Sequence, residues 1–238
     1  MLQVFSREHP SVTLSEAANL TGLTRATARR ILLTLEDLGY VRAEGRRFLP
    51  TPRVLAIGYA YLSSMDTWQV AQPYLVKLAD LSQESCSAAT LDGDEVVYVA
   101  RVASRRVMAV NLSVGARVPA YATSMGRVLL AGLGPERLDR YFAAVPLTRL
   151  TDRTVTDEAA LRELVAEVRE QGWCAVDQEL EAGLCSIAAP IHHRDGEVVA
   201  ALTICSHAGR VGVEQLREEF LPSLLHAAKQ VSDQVQRR

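Results

Sequence analysis

No apolar run in this chain reaches the ~18 residues that a membrane-spanning helix needs, so no membrane segment is expected. The opening residues, MLQVFSREHP, carry no basic stretch leading into an apolar one, and no secretory signal is expected either. Cysteine is sparse. The four residues stand at positions 86, 174, 185 and 205; none forms a CxxC pair, and no histidine lies at a zinc-ligand spacing from a cysteine pair. Reduced, buried thiols in a cytoplasmic protein are the expectation, with no metal site. Also missing are the GxGxxG and P-loop patterns that cradle nucleotides, the GxSxG of serine hydrolases and the HExxH of zinc proteases. No cofactor and no catalytic residue is therefore expected. An enzyme would have to use Cys185 or Cys205 as a nucleophile beside a histidine, a proximity that one sequence does not show.

The chain does have the makings of a core: 48% of its 238 residues are hydrophobic and 23% charged, enough for one large domain or two small ones. The net charge of −2 hides an asymmetry. Residues 1–64 hold eight arginines against five acids, leaving 18 bases and 23 acids for residues 65–238. A basic segment joined to an acidic one fits a nucleic-acid reader attached to a partner domain.

Residues 10–41, PSVTLSEAANLTGLTRATARRILLTLEDLGYV, specify that reader. Thr13 with Glu16 three residues on is a capping box that starts a helix near Leu14, with Leu14, Ala17, Ala18 and Leu20 as its apolar side. Gly22 breaks it, Leu23 re-enters the core and Thr24 caps a second helix. There Ala28, Ile31, Leu32, Leu35 and Leu38 repeat at helical spacing until Gly39. Helix, tight turn and longer helix make a helix-turn-helix. Thr24, Arg25, Ala26, Thr27, Arg29 and Arg30 cluster where a recognition helix meets bases and phosphates; an amphipathic hairpin with a solvated arginine face is the plainer reading of the same pattern. Strand-like Tyr40–Ala43, a turn at Glu44-Gly45-Arg46 and the return Arg47-Phe48-Leu49 add a wing, with Arg46 and Arg47 placed to hold phosphate or minor groove.

Beyond it, Thr51 and Pro52 open a mostly apolar helix, VLAIGYAYLSS, in which Leu55, Tyr59 and Leu62 share a face. So apolar a linker must bury its surface, and the same helix of a second subunit would serve, since two-fold dimers match two-fold operators; packing within its own chain is the alternative. A further helix over roughly Val70–Ser85 leads into strand patterns: CSAATL, EVVYVARV, VMAVNL, WCAVDQEL, LCSIAAPI and EVVAALTIC. Helices are predicted from Thr123 or Ser124, at Pro135–Phe142, at Asp157–Gly172 and, as one long element, at Val213–Gln236. The fold class is α+β. Its division is residues 1–51 for DNA, 52–69 for the linker helix and 70–238 for the sheet domain.

The segments LTRATARRILLTLEDLGYV, VGARVPAYATSMGRVLLAGL, GWCAVDQELEAGLCSIAAPI and VVAALTICSHA resemble the IclR family of transcription regulators nearly end to end. The stretch RVASRRVMAVNLSVGARVPAYATSMGRVLLA is more narrowly similar to the branch that senses protocatechuate, 4-hydroxybenzoate or β-ketoadipate pathway acids. The resemblance implies a winged helix-turn-helix, a GAF-like effector domain and a homodimer or dimer of dimers. The family's first helix usually begins further upstream than Met1 allows, so a truncated N-terminus is an open expectation.

By the same resemblance the effector cavity lies between the sheet and the TSMG helix, which implicates Tyr121, Ala122, Thr123, Ser124 and Met125. Free amides at a helix start suit a carboxylate, though Thr123 or Ser124 could equally be an ordinary cap. Asp177 stands where the family has a pocket acid, with a solvated turn carboxylate as the alternative. Leu184 and Ser186 match the next pocket segment and share a strand face, as do Thr203 and Cys205; Cys205 could also be a small buried hydrophobe. Of Arg105 and Arg106 at most one points inward, and Arg106 is preferred as a carboxylate partner over a solvated pair. His192 and His193 read as exposed. The expectation is a regulator that binds a double-stranded operator under the control of a small aromatic or dicarboxylic acid, for aromatic catabolism genes. The alternative is a thiol-based redox-sensing regulator.

Overall fold

The Thr13 hydroxyl accepts the Glu16 amide at 3.3 Å while the Glu16 carboxylate accepts the Thr13 amide at 2.7 Å, closing the predicted capping box. In the computed structural model, which describes residues 1–6, 8–64, 66–104 and 112–237, strand β1 (Val12–Thr13) leads into helix α1 (Leu14–Thr21). Gly22, at φ 66°, ends α1 in the left-handed conformation that glycine adopts without penalty. Thr24 then caps α2 (Arg25–Asp37), and β2 (Val41–Glu44) and β3 (Arg47–Pro50) form the wing around Gly45. The sheet order is β1-β3-β2, antiparallel throughout.

The core of this unit is Val12, Ala17 and Leu32, with Met1, Val4, Phe5, Leu14 and Phe48 packed around them. Three apolar-face expectations are corrected: Leu20, Leu23 and Leu38, the last at the end of the second helix, are exposed by 49%, 37% and 50%. Leu20 falls off the stripe of Leu14, Ala17 and Ala18 by helical geometry, and Leu23 lies in the turn beyond the point where the helices close together. Helix α3 (Val54–Ser64) starts as predicted, the Thr51 hydroxyl accepting the Arg53 amide and donating to the Gly39 carbonyl. It buries none of its residues; Leu55 is 75% and Tyr59 71% exposed.

The chain divides into two compact units, Met1–Met65 and Asp66–Arg238. The second opens with α4 (Asp66–Ser82), earlier at both ends than the Val70–Ser85 expected; at its C-terminal end Gln83 turns to φ 57° and stops it. Strands β4 (Ser85–Asp92), β5 (Glu95–Val102) and the unforeseen β6 (Arg117–Pro119) follow. Next come α5 (Ser124–Ala131), α6 (Pro135–Ala144) and α7 (Glu158–Gln171), then β7 (Cys174–Asp177), β8 (Leu184–His192) and β9 (Val198–His207). The chain closes with α8 (Val213–Gln215) and α9 (Leu221–Val235), between which Leu216–Phe220 takes a π-helical turn where one uninterrupted helix was expected. The strand expected for VMAVNL lies, but for its last residue, outside the described residues.

The six strands form one antiparallel sheet, β6-β5-β4-β9-β8-β7. Helices α4 and α9 pack together against one face, and α5, backed by α7, covers β7–β9 on the other. The larger core, from Tyr98 and Met125 to Leu161 and Val176, fills the α5 side.

Candidate functional sites

On α2 the buried residues are Ala28 and Leu32, so rotation about the helix leaves Arg25, Ala26, Arg29 and Arg30 in solvent. The Thr24 hydroxyl accepts the Thr27 amide at 3.2 Å and lies 3.0 Å from the Thr27 hydroxyl. Among the described residues the guanidinium groups of Arg25, Arg29, Arg30 and Arg46 have no hydrogen-bonding or ionic partner in this chain. They form a bare cationic face suited to phosphate and guanine. Arg47 differs from the expectation. Its Nε donates to the Ser11 hydroxyl at 2.7 Å, and its Nη2 to the Ser11 carbonyl at 2.8 Å and to Glu16 at 3.3 Å. It ties the wing strand to the start of α1. Hydrogen bonds from the Thr13 amide and hydroxyl, with the Arg47 charge, hold the Glu16 carboxyl below its ordinary pKa.

In the second unit Thr123 caps α5, accepting the Gly126 amide at 3.0 Å. The Ser124 hydroxyl donates to Ser186 on β8 at 2.8 Å, tying the helix start to the sheet. Gly126 is required by contact: a Cβ there would stand 2.0 Å from the Ala120 carbonyl oxygen. A cavity opens at this junction. Ala122, Thr123, Ser124, Met125, Leu184, Ser186, Thr203 and Cys205 line it, together with Tyr98, Val176 and Leu180, which sequence reasoning missed. Its volume is about 10 Å³, room for roughly one water, so a ring enters only as the lining gives way.

Two expected lining residues lie elsewhere. Asp177 is on the opposite face of β7, because alternation from buried Cys174 and Val176 turns it outward. There it pairs with Arg153 and accepts from the Cys185 thiol at 3.0 Å. Tyr121 is buried in the core, where its hydroxyl donates to the Thr148 carbonyl at 2.8 Å and accepts the Thr148 amide at 3.1 Å. Arg106 lies outside the described residues. Tyr98 escaped notice because a register shift between Ala88 and Ala89 changes which β5 residues face the cavity; alternation from Cys174 was the signal that would have found Val176.

All four thiols are buried. Burial pushes the Cys86 and Cys174 thiols up to about 12 and raises those of Cys185 and Cys205. A thiol held protonated is a poor nucleophile, which counts against redox sensing and thiol catalysis alike. The Tyr98 phenol is also raised, by the same burial. Among the described residues no helix is long and apolar enough to cross a membrane.

A bare arginine face on a winged helix-turn-helix, in one chain with a sheet domain that carries its own small cavity, mostly apolar with hydroxyls at the helix start, defines a DNA-binding transcription regulator. Residues 1–45 match the IclR helix-turn-helix domain, and residues 59–233 match the bacterial transcriptional regulator IclR C-terminal domain. The chain belongs to the IclR family. It is 44% identical to the Pca regulon regulatory protein of Pseudomonas putida over 99% of this chain and 81% of that protein. The crystal structure of a transcriptional regulator from Rhodococcus sp. RHA1 superposes with a TM-score of 0.85 at 49% identity, covering 98% of this chain and 94% of that one. An IclR homolog from Microbacterium hydrocarbonoxydans, crystallised with 4-hydroxybenzoate, superposes with a TM-score of 0.79 at 26% identity, covering 98% and 95%. These relatives are regulators, and the fold class, the family and the regulatory function agree with the sequence reading.

Proposed function

We propose that this regulator's grip on its operator is set by a small aromatic acid of the hydroxybenzoate class, bound between α5 and the sheet, and that it governs genes for aromatic catabolism. The observation that carries the reading is the Ser124–Ser186 junction at the capped start of α5, which places hydroxyls and helix amides on one small cavity. The 4-hydroxybenzoate held by the Microbacterium homolog supports the choice of ligand. Residues 1–51 read DNA, residues 52–69 link and residues 70–238 sense. Thr24, Arg25, Ala26, Thr27, Arg29 and Arg30 enter the major groove, and Arg46 holds backbone from the wing. The exposed apolar residues of α3 pair with a second copy, giving a homodimer or a dimer of dimers.

Fluorescence anisotropy on a duplex selected from a random pool by the protein itself tests this. Saturating 4-hydroxybenzoate, 3-hydroxybenzoate or protocatechuate is expected to change Kd by about 5- to 150-fold, the usual span of coupling between sites. Replacing Arg29 and Arg30 with alanine should weaken duplex binding, reduce the slope of log K against log salt by about 1 per lost phosphate contact, and relax sequence preference at any base that either residue reads. An affinity untouched by every acid would remove the sensing half of the reading; an unchanged salt slope would remove the groove assignment.

A further inference from the structure

The α5 side of the sheet carries two polar rows. In an antiparallel sheet, residues directly opposite each other across neighbouring strands share a face. Ser87 stands opposite Arg101 on β5 and opposite Thr203 on β9. One pair further along, Ser85 stands opposite Cys205, which in turn faces Ser186. Thr203, Cys205 and Ser186 line the cavity, so Arg101 and Ser87 continue its polar floor toward β5. The Arg101 charge acts on both the Tyr98 phenol and the Cys205 thiol, which line the same cavity.

Within this patch the hydrogen bonding is unfinished. Among the described residues, Arg101 Nη1 and the Ser87 hydroxyl are both buried and have no hydrogen-bond partner. Arg101 Nη2 makes one long contact, 3.4 Å to Ser85. Among the described residues no carboxylate answers the Arg101 charge. Glu84, beside Ser85, has its two oxygens occupied by Arg210 at 2.7 and 2.5 Å. A buried guanidinium donor and a buried hydroxyl left open side by side are costly unless something completes them. A carboxylate does so: one oxygen takes Nη1, and either oxygen accepts from the serine.

We propose that Arg101, with Ser87 beside it, is the carboxylate anchor of this cavity. The inference rests on the acid-sensing reading above and adds to it which end of the ligand lies where. The acid group lies against β4 and β5, and the ring's far hydroxyl reaches Ser124 and Ser186 at the start of α5. The helix amides then serve the neutral end. Selectivity for an acid over its neutral amide becomes a property of the Arg101 side chain.

Calorimetric titration of the full chain with 4-hydroxybenzoate, protocatechuate and 4-hydroxybenzamide tests this. The wild type should bind both acids and bind the amide at least about tenfold more weakly. Arg101→Gln should weaken the acids by about 10- to 100-fold, the range for a lost charged hydrogen bond, while leaving the amide within about threefold. Arg101→Lys should fall between, because it keeps the charge without the planar fork, and Ser87→Ala should lose less than Arg101→Gln. A thermal melt of each unliganded variant checks folding. Acid binding unchanged in Arg101→Gln, or acid and amide weakened equally, would overturn the anchor and leave the sensing reading intact. A wild type that binds none of the three probes would overturn both.

Discussion

Among the described residues of the second unit, Arg127 and Glu179 are the charged pair most deeply enclosed, with side-chain exposures of 3% and 9%. The guanidinium meets the carboxylate at 2.6 Å and donates through Nε to the Tyr121 carbonyl at 2.9 Å. The same Glu179 oxygen accepts the Val155 amide at 3.0 Å. One residue of α5 is thus fastened to the chain segments that carry Leu180 and Leu184 to the cavity. Removing one partner of such a pair strands the other as a buried charge, at a typical cost of 3–5 kcal/mol. Glu179→Ala should therefore lower the urea midpoint by about that much stability, and replacing Arg127 and Glu179 together with methionine and leucine should recover most of it. A single substitution costing less than about 1 kcal/mol would show the pair to be dispensable. At this scale the cap at Thr123 was legible, whereas the glycine at a contact too close for any Cβ was shown only by the structure. Asp177 was not legible either. Its side of β7 depends on where the strand starts, and one residue of phase sends a side chain to the opposite face.

Among the elements, α3 is the one whose packing is unfinished. Eleven residues, mostly apolar, form a helix that buries none of them, with Leu55, Ile57 and Tyr59 open to solvent. An exposed run of this kind marks an interaction surface or an aggregation liability. If a second copy covers it, Leu55→Glu with Tyr59→Glu should halve the mass seen by sedimentation equilibrium. DNA affinity would then fall, because two half-sites are no longer held together, while 4-hydroxybenzoate binding stays within about threefold. An unchanged mass would rule out α3 as the subunit contact. Elements with caps and breaks were readable in advance. Thr13, Thr24, Thr123 and Asp157 each accept an amide at the helix start where the sequence placed them. The three-residue β6 and two-residue β1 were not, since pairing with β5 and β3, rather than their own pattern, makes them strands. Nor was the π turn at Leu216–Phe220, whose residues keep a good helical pattern.

At the scale of the whole chain, a positively charged unit and a negatively charged one are joined at residue 65, and regulation requires that binding at one be felt at the other. That linkage is reciprocal: if the acid changes operator affinity by some factor, the operator must change acid affinity by the same factor. Both arms of the cycle are measurable on one preparation, by duplex anisotropy with and without 4-hydroxybenzoate and by calorimetry of 4-hydroxybenzoate with and without duplex. The two ratios should agree within error. Only a difference in the acid's affinity for the DNA-competent and DNA-incompetent arrangements can drive the change, and the effect passes between the units through the connection or outside it. Inserting two glycines after Ser64 separates these routes. It leaves the arginine face and the cavity as they are and loosens the join, so each ligand should still bind with its own affinity while the coupling factor falls toward one. A coupling factor that survives the insertion would place the communication outside the joint.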